Sequence, residues 1–587
     1  DEDRDKGLIV NFLEDNLSGE DRSVIINGFS GALSSTVRMD ELIISDADGA
    51  WLTLRGAVLD WNRSALLRGR VEVEELSAEE IIMPRLPLPA EEPVETSDAQ
   101  ASGFSLPELP VSIRIDKLAI ERAEIGEPVI GQDVVATLAG SMRLANGEGE
   151  ADLDLRRTDG RTGVFSVQGA YSNASDALTI DVALEEDPGG IVASLAGIPD
   201  EPSVVARIQG DGPLDDFNAT IDLQTDGEER LAGSVELRGQ TGGGREFSVD
   251  IGGDVTPLFL PQYQDFFGED VQLTARGATG PDGGVDLERF ALTARRLDIA
   301  GALVIGGDGL PRSFNIEGAI EDTSGDPVVL PVSGDPLQIQ NARLRAQFDA
   351  ENGDAWEASI TTTDVVRGDV SIARLALDGT GTIQADTTEE SPRGVTADFR
   401  FAATGVDLPD AELSAALGAD LGGTAQISWQ EDAPLVLESL TLGGEDLTLS
   451  ATGQARIADR SVALEGSASF EANNLARYAP LIGQPLEGAV RADLEGSGDV
   501  LGGIFDLALD VTAQDLAVGI AQLDPLLDGE TTLVGRVSRD ETGLRIDTID
   551  LRNPDVTLAA SGLVAPGQSD VTLDARLAEI GEVLEQN

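Results

Sequence analysis

The chain has 587 residues and a net charge of −67, from 107 acids against 40 bases, and it contains neither histidine nor cysteine. An excess of carboxylates this large excludes a phosphate-backbone binder, which needs clustered Lys and Arg, and argues against electrostatic docking on anionic lipid surfaces. The missing residue types remove the commonest general base, the commonest metal ligand and every disulfide, and no run of about 18 apolar residues is available to span a membrane as a helix.

The sequence begins Asp-Glu-Asp-Arg-Asp-Lys, with neither an initiator Met nor a signal-like apolar core, and reads as a processed piece whose targeting element lies elsewhere. Residues 7–18 place Leu8, Ile9, Phe12, Leu13 and Leu17 at helical spacing, predicting an amphipathic helix. Val37, Met39, Leu42 and Ile44 then introduce an apolar rhythm, Φ-x-Φ-x-x-Φ-x-Φ, with polar residues between. Asp46-Ala-Asp-Gly-Ala-Trp51 reads as a turn; its start resembles a calcium loop but lacks the later ligands and the closing Glu. Leu52 and Leu54 resume a strand, and a weaker copy of the rhythm runs from Val71 to Ala78. From Pro84 to Pro110 prolines, acids, Ser and Ala predict a linker or extended loop, so the chain divides into 1–83, 84–110 and 111–587.

The rhythm returns as Ile113, Ile115, Leu118, Ile120; as Val285, Leu287, Phe290, Leu292; and as Val370, Ile372, Leu375, Leu377. It appears again as Leu435, Leu437, Leu440, Leu442 and as Leu544, Ile546, Ile549, Leu551, with a weak copy from Leu337 to Leu344. Phe259 to Gly268, Ala411 to Gly423, Tyr478 to Gly488 and Ile520 to Gly529 are short apolar segments predicted to form a helical turn or two with a Gly stop. After three copies a further strand is expected five positions on, at Leu297, Leu447 and Val556, and Ala575 to Asn587 looks like a helix start.

Alternation of period two means a strand with one apolar and one polar face. The doubled x shifts the parity by one, which a β-bulge or a short strand break restores, so the apolar side chains stay on one face through each copy. The fold class is therefore mainly β: a long, continuous, one-sided sheet with a few short helices, arranged as a repeating array. A second sheet, closure of the sheet on itself, or a bound apolar ligand could each cover its apolar face; periodicity alone does not choose.

No GxSxG elbow, P-loop or HExxH is present. Acid pairs such as Asp152 with Asp154 and Glu148 with Glu150 read as exposed strand faces, and Gly242-Gly-Gly244 as a turn rather than a phosphate cradle. The vocabulary predicts no catalytic residue, no cofactor, no metal site and no nucleic-acid partner. The apolar face is left as the candidate working surface.

Asp48-Gly-Ala-Trp-Leu-Thr-Leu, followed by Leu59-Asp-Trp61 and Leu66-Leu-Arg-Gly-Arg-Val-Glu-Val, resembles the N-terminal region of the TamB family, the inner-membrane component of the translocation and assembly module, in its alphaproteobacterial form. Leu109-Pro-Val-Ser-Ile-Arg-Ile-Asp-Lys-Leu, Asp187-Pro-Gly-Gly-Ile and Gly210-Asp-Gly-Pro-Leu-Asp-Asp-Phe extend the resemblance, while the repeats alone would fit any AsmA-like protein. The resemblance implies a curved sheet of about 35 to 45 strands at ~4.8 Å spacing, folded into an elongated open groove, apolar inside and polar outside. It implies a periplasmic body on an inner-membrane anchor, phospholipid acyl chains as ligands moved between the two membranes, and a role in outer-membrane biogenesis and autotransporter assembly. It further implies a TamA-like outer-membrane barrel as partner, reached through a C-terminal region not in this sequence. A calcium-stiffened structural or adhesive β-repeat protein is the alternative expectation.

Overall fold

The computed structural model describes residues 22–31, 34–66, 68–88, 106, 112–385, 393–431, 433–458, 461–499, 502–521, 523–540, 543–565 and 568–577. The predicted helix over 7–18, the middle of the predicted linker and the chain end beyond 577 lie outside the described residues. The protein is mainly β, with 34 strands assigned to one continuous sheet and a few short helices. It divides into two compact units, 1–309 and 310–587.

In the first unit, strands that follow one another in sequence also pair in space, antiparallel, from Ser112–Ile125 through to Leu297–Ile305. One crossover interrupts this meander: Arg70–Ala78 and Glu80–Met83 both pair parallel with Ser112–Ile125. The weak copy of the rhythm thereby lies in register beside a strong one, Val71 by Ile113, Val73 by Ile115, Leu76 by Leu118 and Ala78 by Ile120. In the second unit the meander runs from Asn341–Asp349 to Gln568–Leu577.

The doubled x is a bulge in four copies. The register shifts by one residue between Ile115 and Leu118, Leu287 and Phe290, Leu437 and Leu440, and Ile546 and Ile549. The partners of Val285, Leu287, Phe290 and Leu292 are Ile305, Leu303, Gly301 and Ile299, all of one parity on an unbroken strand. The four apolar side chains therefore share a face, since alternate residues of a strand point the same way. In the Val37 and Val370 copies the neighbour carries the same extra residue, so the net register is kept. There Gly56 (φ 60°), Gly405 (φ 64°) and Asp364 (φ 49°) take the left-handed backbone that the extra residue demands.

The strands expected five positions after a copy begin at Leu297, Leu447 and Val556. The predicted helical segments hold Pro261–Phe267 with Gly268 (φ 69°), Ala411–Leu417 with Gly418 (φ 83°), Ala479–Ile482 with Gly483 (φ 69°) and a single 3₁₀ turn, Asp524–Leu526. The stops expected at Gly423 and Gly488 lie instead inside strands Leu421–Gln430 and Glu487–Asp499, because the earlier glycines already take the left-handed backbone that ends each helix. Asp410 caps the second by accepting from the amides of Glu412 and Leu413 at 2.9 and 3.0 Å. The helix expected from Ala575 starts instead as the end of strand Gln568–Leu577, with Ala575 opposite Leu558. A neighbouring strand edge there offers a full ladder of hydrogen bonds, which outweighs weak local helix preference.

Position along the strands decides which side chains are buried. In the first unit Glu127–Ile130, Ile191–Leu195 and Pro261–Phe267 sit at one rim of the sheet, between strand ends such as Glu186 and Val204. The Glu186 carboxylate accepts from the amides of Ile191 and Val192 at the start of the middle helix. Beneath that helix Ala193, Ile198 and Val204 form a buried cluster. Tyr171, Leu214, Phe217 and Ala219 form a second cluster at the opposite rim. In the second unit Ala411–Leu417, Leu475–Tyr478, Ala479–Ile482 and Asp524–Leu526 again share one rim.

The start of the predicted linker is docked. The Arg85 guanidinium forks onto the Asp46 carboxylate, with Nη1 to Oδ2 at 2.8 Å, and Asp46 also accepts from the amides of Leu88 and Asp48, each at 2.9 Å. Arg85 and these amides hold the Asp46 carboxyl well below the usual carboxylate range. Because the folded value is depressed, the stabilisation is present above the unfolded value of about 3.9 and is lost as pH falls below it. The protection factor of the Leu88 amide, taken against the intrinsic exchange rate at each pH, is therefore expected to hold at pH 6 and to fall below about pH 4, and Arg85→Ala should lower it already at neutral pH.

Candidate functional site: an open apolar face

Only 27 apolar side chains are buried among the described residues, and none belongs to the six full copies of the rhythm. Val37, Met39, Leu42, Ile44, Ile113, Ile115, Leu118, Ile120, Val285, Leu287, Phe290, Leu292, Val370, Ile372, Leu375, Leu437, Leu440, Leu442, Leu544, Ile546, Ile549 and Leu551 are half-buried; Leu377 and Leu435 are exposed. A sandwich core would bury such residues almost completely. Here each is covered by its strand neighbours and left open above.

The second unit gathers part of this face into a trough of about 690 Å³. Leu435 and Leu437 supply one wall, and Leu464, Leu494, Phe505 and Leu507 from the following strands supply the floor and the other wall. Leu440 lies in an adjoining recess of about 450 Å³ with Leu494 and Leu509. The volume falls within the roughly 300–1,000 Å³ typical of small-molecule sites. Among the described residues this is the copy of the rhythm that the structure brings into such a trough.

Leu464, Leu494, Phe505 and Leu507 escaped the sequence reading because they follow plain alternation without the doubled x. The signal that could have found them is Val490, Ala492, Leu494 against Phe505, Leu507, Leu509, whose register pairs Leu494 with Leu509 and Ala492 with Val511. Space for the trough comes from glycine. Gly453 faces Gly466, and Gly466 faces Gly496 on the next strand. A Cβ at Gly466 would stand 2.3 Å from the Thr452 carbonyl oxygen and one at Gly496 2.5 Å from that of Asp506. Side chains there are excluded by the backbone of the next strand, so the floor stays low while the leucines rise on either side.

Polar chemistry lies on the other face. Arg114 pairs with Asp116, Arg536 with Asp506 at 2.8 Å and Arg552 with Asp550 at 2.6 Å, along or across neighbouring strands. Pairs this exposed add little to stability, and their main effect is to keep that face solvated. Asp152 is exposed, and Asp154 pairs with Arg156 two residues along the same strand. Among the described residues no group of three or more Asp or Glu is placed to hold a metal ion, and the one motif that resembles a calcium loop has its Asp46 carboxylate taken up by Arg85.

Together the fold and the trough define a class of protein, a one-sided β-sheet whose apolar face is held open and whose polar face carries the charge. Beyond that class the comparisons are silent: no family model matches the chain, and no curated protein and no solved structure matches it.

Proposed function

We propose that this chain is a lipid-conducting segment: its open apolar face takes phospholipid acyl chains and passes them along the sheet between the inner and outer membranes, in the periplasm. The observation that carries the reading is that no rhythm residue of the six full copies is fully buried, with a trough of about 690 Å³ where one copy meets its neighbours. Each methylene moved from water into such a trough contributes about 0.8 kcal/mol, so a tail is held without any single strong contact and a continuous apolar track lets it slide. The resemblance of the Trp-bearing N-terminal block to the TamB family favours the same reading, with outer-membrane biogenesis as the process served and a TamA-like barrel as the partner of the full-length protein.

The test is extraction. The chain is purified from cells under native conditions, its fold is checked by circular dichroism, and bound organic-soluble material is weighed by mass spectrometry. About one or more phospholipids per chain is the expected result, on the scale of one tail per trough-sized site. A folded chain that carries no lipid and takes up none from vesicles would sink the proposal.

A further inference from the structure

Most of the apolar face in the first unit stands open. Phe165 is 40% exposed and Ile208 39% exposed, and their partners Leu184 and Val182 lie on the same face as Leu178 and Ile180. The openness ends at the two rims, one under Ile191–Leu195, where Leu184 packs with Ala193, Ile198 and Val204, and the other at the opposite rim. Tyr171 (6%), Leu214 (8%) and Phe217 (5%) are buried there, and Leu106 packs against them together with Leu178, Ile180 and Leu237. Leu106 is no part of the sheet. It comes from the segment between the parallel strands Glu80–Met83 and Ser112–Ile125, and it reaches the face from outside the ladder.

Its seat is built for it in two ways. The Asn173 side chain grips the Leu106 backbone reciprocally: the Leu106 amide donates to Asn173 Oδ1 and Asn173 Nδ2 donates to the Leu106 carbonyl, both at 2.9 Å. Below, Gly149 sits opposite Tyr171, and a Cβ there would stand 2.6 Å from Leu106 Cδ1. The glycine gives up its side-chain space to a leucine from elsewhere in the chain. A half-buried apolar side chain held by two backbone hydrogen bonds to one side-chain amide is a plug, stable in place but released by a small local opening.

We infer that Leu106 is an intramolecular occupant of the apolar face, seated where an acyl chain would otherwise lie and competing with it, so that the Asn173 grip sets how much of the first unit's face a lipid can enter. This rests on the lipid-conducting reading for the identity of the competitor, but the plug itself does not.

Because the chain has no cysteine, a single introduced thiol reports on one place. Ile180→Cys puts it against the same cluster that Leu106 packs on, and its reaction with N-ethylmaleimide is timed in the full chain. Asn173→Ala is expected to raise the rate about tenfold, the scale of losing two ordinary hydrogen bonds from a local opening. Leu106→Ala, which leaves Asn173 intact, should raise it as well. Hydrogen exchange of Val204–Pro213 tells local release from unfolding, and should be unchanged. In a second arm, phosphatidylcholine vesicles carrying a photoactivatable acyl chain are offered, and crosslinks within 147–180 are expected to rise in both variants. An unchanged thiol rate in both variants overturns the plug whatever lipid does. Faster thiol reaction with no crosslink anywhere in any form keeps the plug and removes the lipid reading. Crosslinks already maximal in the unaltered chain and unmoved by either variant overturn the competition.

Discussion

Replacing Leu437 and Leu440 together with Asp is expected to strip the trough of bound acyl chain while leaving the sheet folded. Both residues are half-buried and flank a bulge, and their partners Gly453 and Ala451 are too small to be displaced by the change. Neither belongs to the buried set that holds the rims together. Two carboxylates on an apolar wall keep their water and deny the tail contact with about four methylenes, which weakens retention by about 3 kcal/mol, or roughly two orders of magnitude. The measurement is phospholipid recovered per chain from the double variant against the unaltered chain, with hydrogen exchange of Leu447–Ala458 and Ser461–Ala472 as the fold control. Equal lipid recovery from a folded double variant would remove the trough from the proposed route.

The opposite result is expected at the rims. Phe217→Ala removes a side chain 5% exposed that packs with Tyr171, Leu214 and Ala219, and it should cost about 3–5 kcal/mol of local stability. Leu437→Ala, on the open face, should cost only about 1–2 kcal/mol, since its side chain is only half-buried and its removal leaves no enclosed cavity. Tyr171 adds to the rim's rigidity: its hydroxyl donates to Asp176 at 2.7 Å, and burial with that carboxylate pushes its ionisation up to about 12. Asp176 is held in turn by Arg245, which also reaches Asp215 at 3.1 Å. Hydrogen exchange of Val204–Pro213 and Asp216–Thr225 reads the difference directly. Similar costs for the two substitutions would mean that the face is not open in solution.

Much of this contrast was legible from the chain. The rhythm of Leu435, Leu437, Leu440 and Leu442 named a strand, its apolar face and the place of its bulge, because alternation and parity are properties of a few consecutive residues. The Gly stop after Pro261–Phe267 was legible for the same reason, whereas the next helix stops at Gly418, five residues before the expected Gly423. The trough was half legible: Leu435 and Leu437 carried the pattern, while Leu464, Leu494 and Leu507 sat in ordinary alternation that any strand could show. The sequence at Ala575 pointed to a helix start, and a neighbouring edge strand made its first residues a strand end instead.

By itself, then, the sequence determined that the protein is a repeating sheet and that its acids and bases alternate with its apolar residues along the strands. The pairing of Arg70–Ala78 parallel to Ser112–Ile125, the gathering of short helices at one rim of the second unit and the arrival of Leu106 over Gly149 were decided only in three dimensions. The reason is range. Strand parity is set within a few residues, whereas which strands meet, and whether anything covers the face they share, depends on contacts between residues tens of positions apart that leave no local mark.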